Sequence, residues 1–175
     1  GDDGSFDGNM VVPIDLLPPI IDDLLKSYAT RTTVKKTPLE RDLEIESEFL
    51  KSFPFEDTKD QASSWKEVSE DLVSNKPMDR LLCGDVGFGK TEIALRAAFR
   101  TAFSGKQVAV LAPTTILSSQ HYHSFNNRLS PFSIEVGLLS GFKTKSNNNI
   151  TLKGLKNGEI NVIIGTHSLL SEKVI

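Results

Sequence analysis

Apolar positions along the chain fall into two rhythms, and the change between them comes near residue 80. From Pro18 onward, Ile20, Ile21, Leu24, Leu25 and Tyr28 recur at helical spacing, with prolines at the tolerant first turn. The polar, β-branched run Thr30 to Thr37 is expected to break that helix. A second, acidic helix is expected from Pro38 to about Ser52, with Leu39, Leu43, Phe49 and Leu50 inward. A third carries Ala62, Trp65, Val68 and Leu72 on one face, and Thr58 and Gln61 have the spacing of a capping box at its start. From Arg80 short β-rich runs alternate with helical ones. Strands are expected at Leu81–Cys83, Gln107–Ala112, Ile134–Leu138 and Ile160–Gly165. Helices are expected at Lys90–Phe103, Thr115–Leu129 and near Ile150–Lys156. Alternation of this length predicts an α/β fold with a parallel sheet covered by helices.

Residues 1–17, rich in Gly and Asp at their start, read as a flexible tail, residues 18–52 as a helical linker, and residues 53–175 as the α/β lobe. The single cysteine, Cys83, sits in an apolar run, so a buried strand thiol is expected and a disulfide framework is excluded. No apolar stretch approaches the roughly 20 residues of a membrane span. The net charge of −3 hides a split. Residues 1–75 carry 8 Lys/Arg against 17 Asp/Glu, and residues 76–175 carry 12 against 6. A polyanion-binding surface is therefore expected on the second part alone.

The stretch GDVGFGKTE, Gly84 to Glu92, supplies candidate chemistry. Gly84-x4-Gly89-Lys90-Thr91 is a full phosphate-loop pattern, placed between an expected strand and an expected helix. Glycines at 84, 87 and 89 let backbone N–H groups turn inward on phosphate oxygens, and Asp85, Val86, Phe88 and Glu92 complete the cradle. Lys90 offers a point charge to the β- and γ-phosphates, and Thr91 offers a hydroxyl to Mg²⁺. ATP with Mg²⁺ is the implied cofactor pair.

The flanks narrow the reading. MDRLLCGDVGFGKTE, Met78 to Glu92, resembles the ATPase motor of the transcription-repair coupling factors, superfamily 2 DNA translocases of bacteria and plastids. The resemblance covers about Ile21 to Ile175 and implies an incomplete RecA-like P-loop lobe behind a helical linker. FPFEDTKDQ looks like that family's adenine-recognition motif, which implies that Gln61 reads the base, Phe55 packs on it and Thr58 supports them. The alternative for Thr58 and Gln61 is the helix cap alone. VLAPTTILSSQHYHSF resembles motif Ia, implying duplex-DNA phosphate contacts from Thr114, Thr115 and Gln120, with a plain N-cap as the alternative for Thr114. GLLSGFKTKS resembles a further DNA-contacting segment, implying Ser140, Lys143 and Lys145, although Gly141 stands where the family has Arg. IGTHSLL resembles motif Ib, implying Thr166 and His167, the latter as an orienting residue.

The same resemblance implies that the whole protein pushes stalled RNA polymerase off damaged DNA and recruits excision-repair proteins, in the bacterial nucleoid or a plastid and away from membranes. It also implies an Asp-Glu pair on the strand that follows and a second lobe with arginine fingers. Glu92, Glu135, Glu159 and Glu172 each stand in the wrong setting for that pair. The expectation is a first lobe cut before it, with Lys90 and Thr91 as its catalytic groups and negligible hydrolysis on its own. A branch-migrating fork-rescue helicase shares the Gly-Asp-Val-Gly loop and the Gly-Thr-His motif but differs at Phe88, Glu92 and FPFEDTKDQ. Outside the motor class stand a non-motor nucleotide-binding module such as a small kinase, which would require an acceptor-binding lid with Arg residues after Gly141 where none is evident, and an inactive fragment docking through the acidic helices of residues 18–52.

Overall fold

The computed structural model describes residues 26, 29–30, 33–85, 87–141 and 145–171. Lys26, Ala29, Thr30 and Thr33 are helical and residues 34–42 are not, so the first helix ends within the Thr30–Thr37 patch, as expected, though past Thr30 itself. Thr30 and Thr33 hydroxyls donate to the carbonyls of Lys26 and Ala29 four residues back, which helical backbone accommodates. The rest of that helix lies outside the described residues.

Helix α1, Leu43–Lys51, starts at an Asp42 cap whose carboxylate accepts from the Glu44 and Ile45 N–H groups. It buries Phe49, as expected, together with Glu46, keeps Leu50 half-buried, and leaves Leu43 69% exposed, against expectation. The reason is the partner: Arg100 stands opposite Glu46 and turns the acid inward. Helix α2, Lys59–Val73, opens on the expected capping box, with Thr58 and Gln61 each bonding the other's backbone. Val68 and Leu72 face in, whereas Ala62 is exposed, against expectation. One turn into the helix, that face is open to solvent.

Helix α3, Lys90–Phe103, follows the phosphate loop, and helix α4 spans Thr115–Leu129. Helix α5, Lys145–Lys156, begins five residues earlier than the sequence suggested, because the Asn-rich run is helical. Strands β1, Val108–Leu111, β2, Val136–Leu139, and β3, Val162–Gly165, form a parallel sheet in the order β1-β3-β2. The register is flush: Leu111 and Leu139 both pair with Gly165. Fully buried β2 and β3 sit under helices, as parallel sheets require.

Leu81–Cys83 is not a strand: none of the three described strands pairs with it, and a strand needs a neighbour for its N–H and C=O row. Cys83 is consequently exposed, and Leu81 is 86% exposed, against the expected buried thiol.

The main core joins Phe49 of α1 to Leu95 and Phe99 of α3, Phe125 and Leu129 of α4, and Val162 and Ile164 of β3. Phe49 stacks on Phe99 with centroids 3.9 Å apart, and Phe132 meets both edge-on. Such pairs add about 0.5–1.5 kcal/mol beyond their buried area. Helix α1 thus shares the core of the sheet and fixes the segment that follows it, Phe53 to Gln61, against α3 and α4.

Candidate functional site

The phosphate loop turns through Gly87 at φ 88° and Gly89 at φ 74°, left-handed conformations that glycine adopts at little cost. Gly89 is the N-cap of α3 and has no side-chain cap, so the first N–H groups of α3 are left to a ligand. A Cβ on Gly89 would stand 2.0 Å from Gln61 Nε2, so the position excludes side chains twice over. The Lys90 ammonium donates to the carbonyls of Gly84 and Asp85, the latter at 2.7 Å. Its charge is therefore held over the mouth of the loop by backbone alone, with no carboxylate on it in these bonds. Val86 lies outside the described residues.

Gln61 reaches the loop from α2. Its Oε1 accepts from the Thr58 N–H at 2.9 Å and its Nε2 donates to the Phe88 carbonyl at 3.2 Å. The cap and the approach to the loop are one arrangement, since the bond that closes the cap aims the amide at Phe88. One bond at each end leaves the amide its second N–H and a second oxygen lone pair, so it can meet a base edge while it keeps both partners.

A pocket of about 670 Å³ joins the two predicted halves of the site. Gly87, Gly89, Thr91 and Glu92 line one side, and Phe53, Phe55, Thr58 and Gln61 line another. A third wall comes from Ser124, Asn127 and Arg128 of α4. Phe55 is 72% exposed and meets Phe53 edge-to-face at 5.5 Å, leaving an aromatic face open. The volume falls within the range typical of small-ligand sites. The Thr91 hydroxyl is a hard oxygen donor in the first turn of α3, which suits Mg²⁺ better than softer metals. Loop, lysine and hydroxyl fit a nucleoside triphosphate with its cation.

An ionic chain holds this pocket together. Arg96 of α3 makes two 2.7 Å bonds to the Asp57 carboxylate and one of 2.9 Å to Glu92. Glu92, 6% exposed, also receives Arg128 at 2.9 and 3.3 Å. The Arg96 hydrogen bond holds the Asp57 carboxyl below its usual pKa. For Arg96, burial alone would lower the guanidinium's pKa, but Asp57 and Glu92 outweigh it and the net shift is upward. Glu92, expected beside the nucleotide, is thus a pocket-lining acid already claimed by two arginines. The sequence reading missed Asp57, Arg96 and Arg128. Arg128 gave no motif signal, because it sits at the far end of an amphipathic helix where a solvated arginine is the ordinary expectation.

Of the residues expected to meet DNA, Thr114, Ser140 and Thr166 follow the carboxyl ends of β1, β2 and β3, the edge where ligands of open α/β sheets bind, and Gln120 lies inside α4. Thr114 follows β1 and caps α4, accepting from the Leu117 N–H at 3.2 Å. Thr114 and Gln120 are exposed, and Thr115 is half-buried. His167 is exposed beyond β3. Ser140, 3% exposed, and Thr166, 6% exposed, are buried at the same edge. Lys143 lies outside the described residues, and Lys145 is described only as the first residue of α5.

Sheet order, flush register and a glycine-lined helix start together define a P-loop nucleotide-binding lobe of RecA-like fold. The DEAD/DEAH box helicase family profile matches residues 58–175, more than half of the chain, and the chain belongs to that family. It is similar to the transcription-repair-coupling factor of Bacillus subtilis, 51% identical over 156 residues, and to that of Borreliella burgdorferi, 47% identical over 154. These matches take in 89% and 88% of the chain but 13% and 14% of the relatives, so the chain spans about one-seventh of their length. Among solved structures, RecG bound to a three-way DNA junction superposes with a TM-score of 0.76 at 41% identity, over 83% of this chain and 20% of that one. A hypothetical ATP-dependent RNA helicase from Sulfolobus tokodaii, at 16% identity and TM-score 0.56, shares the fold. No described helix is long and apolar enough to cross a membrane.

Proposed function

We propose that this chain is the ATP-binding portion of the first motor lobe of a double-stranded DNA translocase that removes stalled RNA polymerase and couples transcription to nucleotide excision repair. The observation that carries the reading is the pocket lined by Gly87, Gly89 and Thr91 together with Phe53, Phe55, Thr58 and Gln61, with Lys90 and Gly84 lining a smaller pocket that also reaches Thr58 and Gln61. The 44–51% identity to transcription-repair-coupling factors supports the choice of motor.

In this reading ATP places its phosphates on the loop and Lys90, Mg²⁺ meets Thr91, and the base lies against Phe55 beside Gln61. Thr114, Thr115, Gln120 and His167, with Lys143 and Lys145, grip DNA phosphates, while buried Ser140 and Thr166 shape the loops that present them. The setting is the bacterial nucleoid or a plastid. Glu92 and Asp57 are held by arginines and are not free to orient a water, so the isolated chain binds nucleotide without turnover.

Titration with a fluorescent ATP analogue and Mg²⁺, with phosphate release followed in parallel, tests this. Binding by the wild-type chain, its loss in Lys90→Ala, its weakening in Gln61→Ala and no turnover are the expected results. Robust turnover by the isolated chain overturns the assignment of an incomplete lobe.

The second reading is a branch-migrating helicase, favoured by the 0.76 TM-score to junction-bound RecG. The full-length protein separates the two. Displacement of a stalled RNA polymerase from duplex DNA supports the first, and remodelling of a three-way junction with no displacement supports the second.

A further inference from the structure

Arg128 touches both halves of the nucleotide pocket from an element that neither half contains. Its Nη1 lies 2.9 Å from Glu92 Oε2, two residues beyond Lys90 in the first turn of α3. Its guanidinium carbon lies 5.5 Å from the Phe53 ring centroid and 4.9 Å from that of Phe49. Its Nε donates to Ser52 Oγ at 3.1 Å and its Nη2 to the Phe49 carbonyl at 3.5 Å. One planar, permanently charged group therefore spans the helix that carries the phosphate loop and the segment that carries the aromatic wall. Phe53 in turn holds Phe55 edge-to-face.

We infer that Arg128 is a positioning residue that sets the aromatic wall at the distance from the phosphate loop that a purine nucleoside triphosphate requires. The inference rests on the nucleotide pocket proposed above. A guanidinium suits the role because it bonds a carboxylate through a rigid fork while its flat face lies on a ring. Lysine keeps only the charge. Arg96 also ties the segment to α3, through Asp57 and with its guanidinium carbon 5.5 Å from the Phe53 centroid, so the wall has two anchors. Arg128 is the one that also lines the pocket.

The test compares ATP with inorganic tripolyphosphate, which engages the loop and has no base. In the wild-type chain with Mg²⁺, ATP is expected to displace a fluorescent ATP analogue at lower concentration than tripolyphosphate. In Arg128→Ala and Arg128→Lys the ATP dissociation constant is expected to rise about tenfold, the effect of one lost stacked, charge-assisted contact. Tripolyphosphate is expected to keep its wild-type affinity in both variants. Loss of affinity for both ligands in step, or no change for either, overturns the positioning role. Arg128→Lys keeps the charge facing Glu92 and guards against a fold lost in the alanine variant. A wild-type chain that does not distinguish ATP from tripolyphosphate instead removes the pocket's base-binding half, and the inference falls with it.

Discussion

Arg100 and Glu46 are joined by two 2.6 Å hydrogen bonds, one from Nε and one from Nη2, at a guanidinium that is 1% exposed. Arg100 also donates to the Ser69 carbonyl and hydroxyl and lies 4.8 Å from the Trp65 ring centroid. The pair pins α1 and α2 to α3. Removing one partner strands a buried charge, which costs about 3–5 kcal/mol. Glu46→Ala is expected to lose stability on that scale in urea unfolding, with the midpoint shifted and the slope retained. A loss under about 1 kcal/mol would show that water reaches Arg100 and that the pair is not a structural anchor.

Acid should loosen the segment around Asp57. Its carboxyl is held below the ordinary aspartate value by Arg96, so its contribution is present above about pH 4 and is lost as pH falls through the depressed folded value. Wild-type stability is expected to fall more steeply below pH 4 than that of Asp57→Asn, which no longer titrates. Parallel curves for the two proteins would remove Asp57 from the account.

Gly89→Ala meets two obstacles, a positive φ and the Gln61 amide 2.0 Å from the new Cβ. Nucleotide binding is expected to disappear. Gln61→Ala in the same background clears the steric obstacle and leaves the conformational one, about 1–2 kcal/mol. The double variant is therefore expected to regain thermal stability relative to Gly89→Ala. Additive losses would show that the two residues do not meet.

Gln61→Ala alone removes half of a capping box and the contact to Phe88. About 1 kcal/mol of stability is expected to go with it. Thr58→Ala removes the other half of the cap and leaves the bond to Phe88 in place. Comparable destabilisation by both, with nucleotide affinity weakened only by Gln61→Ala, would separate the cap from the contact with the loop.

Local signals were legible where the chain itself enforces them. The bounds of α3 and α4 and the cap on α2 follow from spacing and hydrogen-bonding side chains a few residues apart. The phosphate loop was legible for the same reason, since its geometry is written in glycines. The fate of Leu81–Cys83 was not, because an apolar triplet becomes a strand only beside another strand. Nor was the inward turn of Glu46 in a helix full of acids, which depends on Arg100, 54 residues away. Arg128 escaped for a like reason, with its partners 36 residues back at Glu92 and 79 back at Phe49.

Helix α4 runs unbroken from Thr115, beside the carboxyl edge of the sheet, to Leu129, beside the pocket. Fifteen residues make a rod of about 22 Å, and Phe125 and Leu129 fasten its far half into the core. Such a rod transmits a push. With its far half held by Phe125 and Leu129, a tilt moves mainly the Thr115 end, but a push of about 1 Å along the axis of a rigid helix carries Arg128 through the same distance. A shift of that size is enough to spoil a hydrogen bond to Glu92 or the contact with Phe53. The helix therefore gives the two surfaces a mechanical connection that passes through no loop.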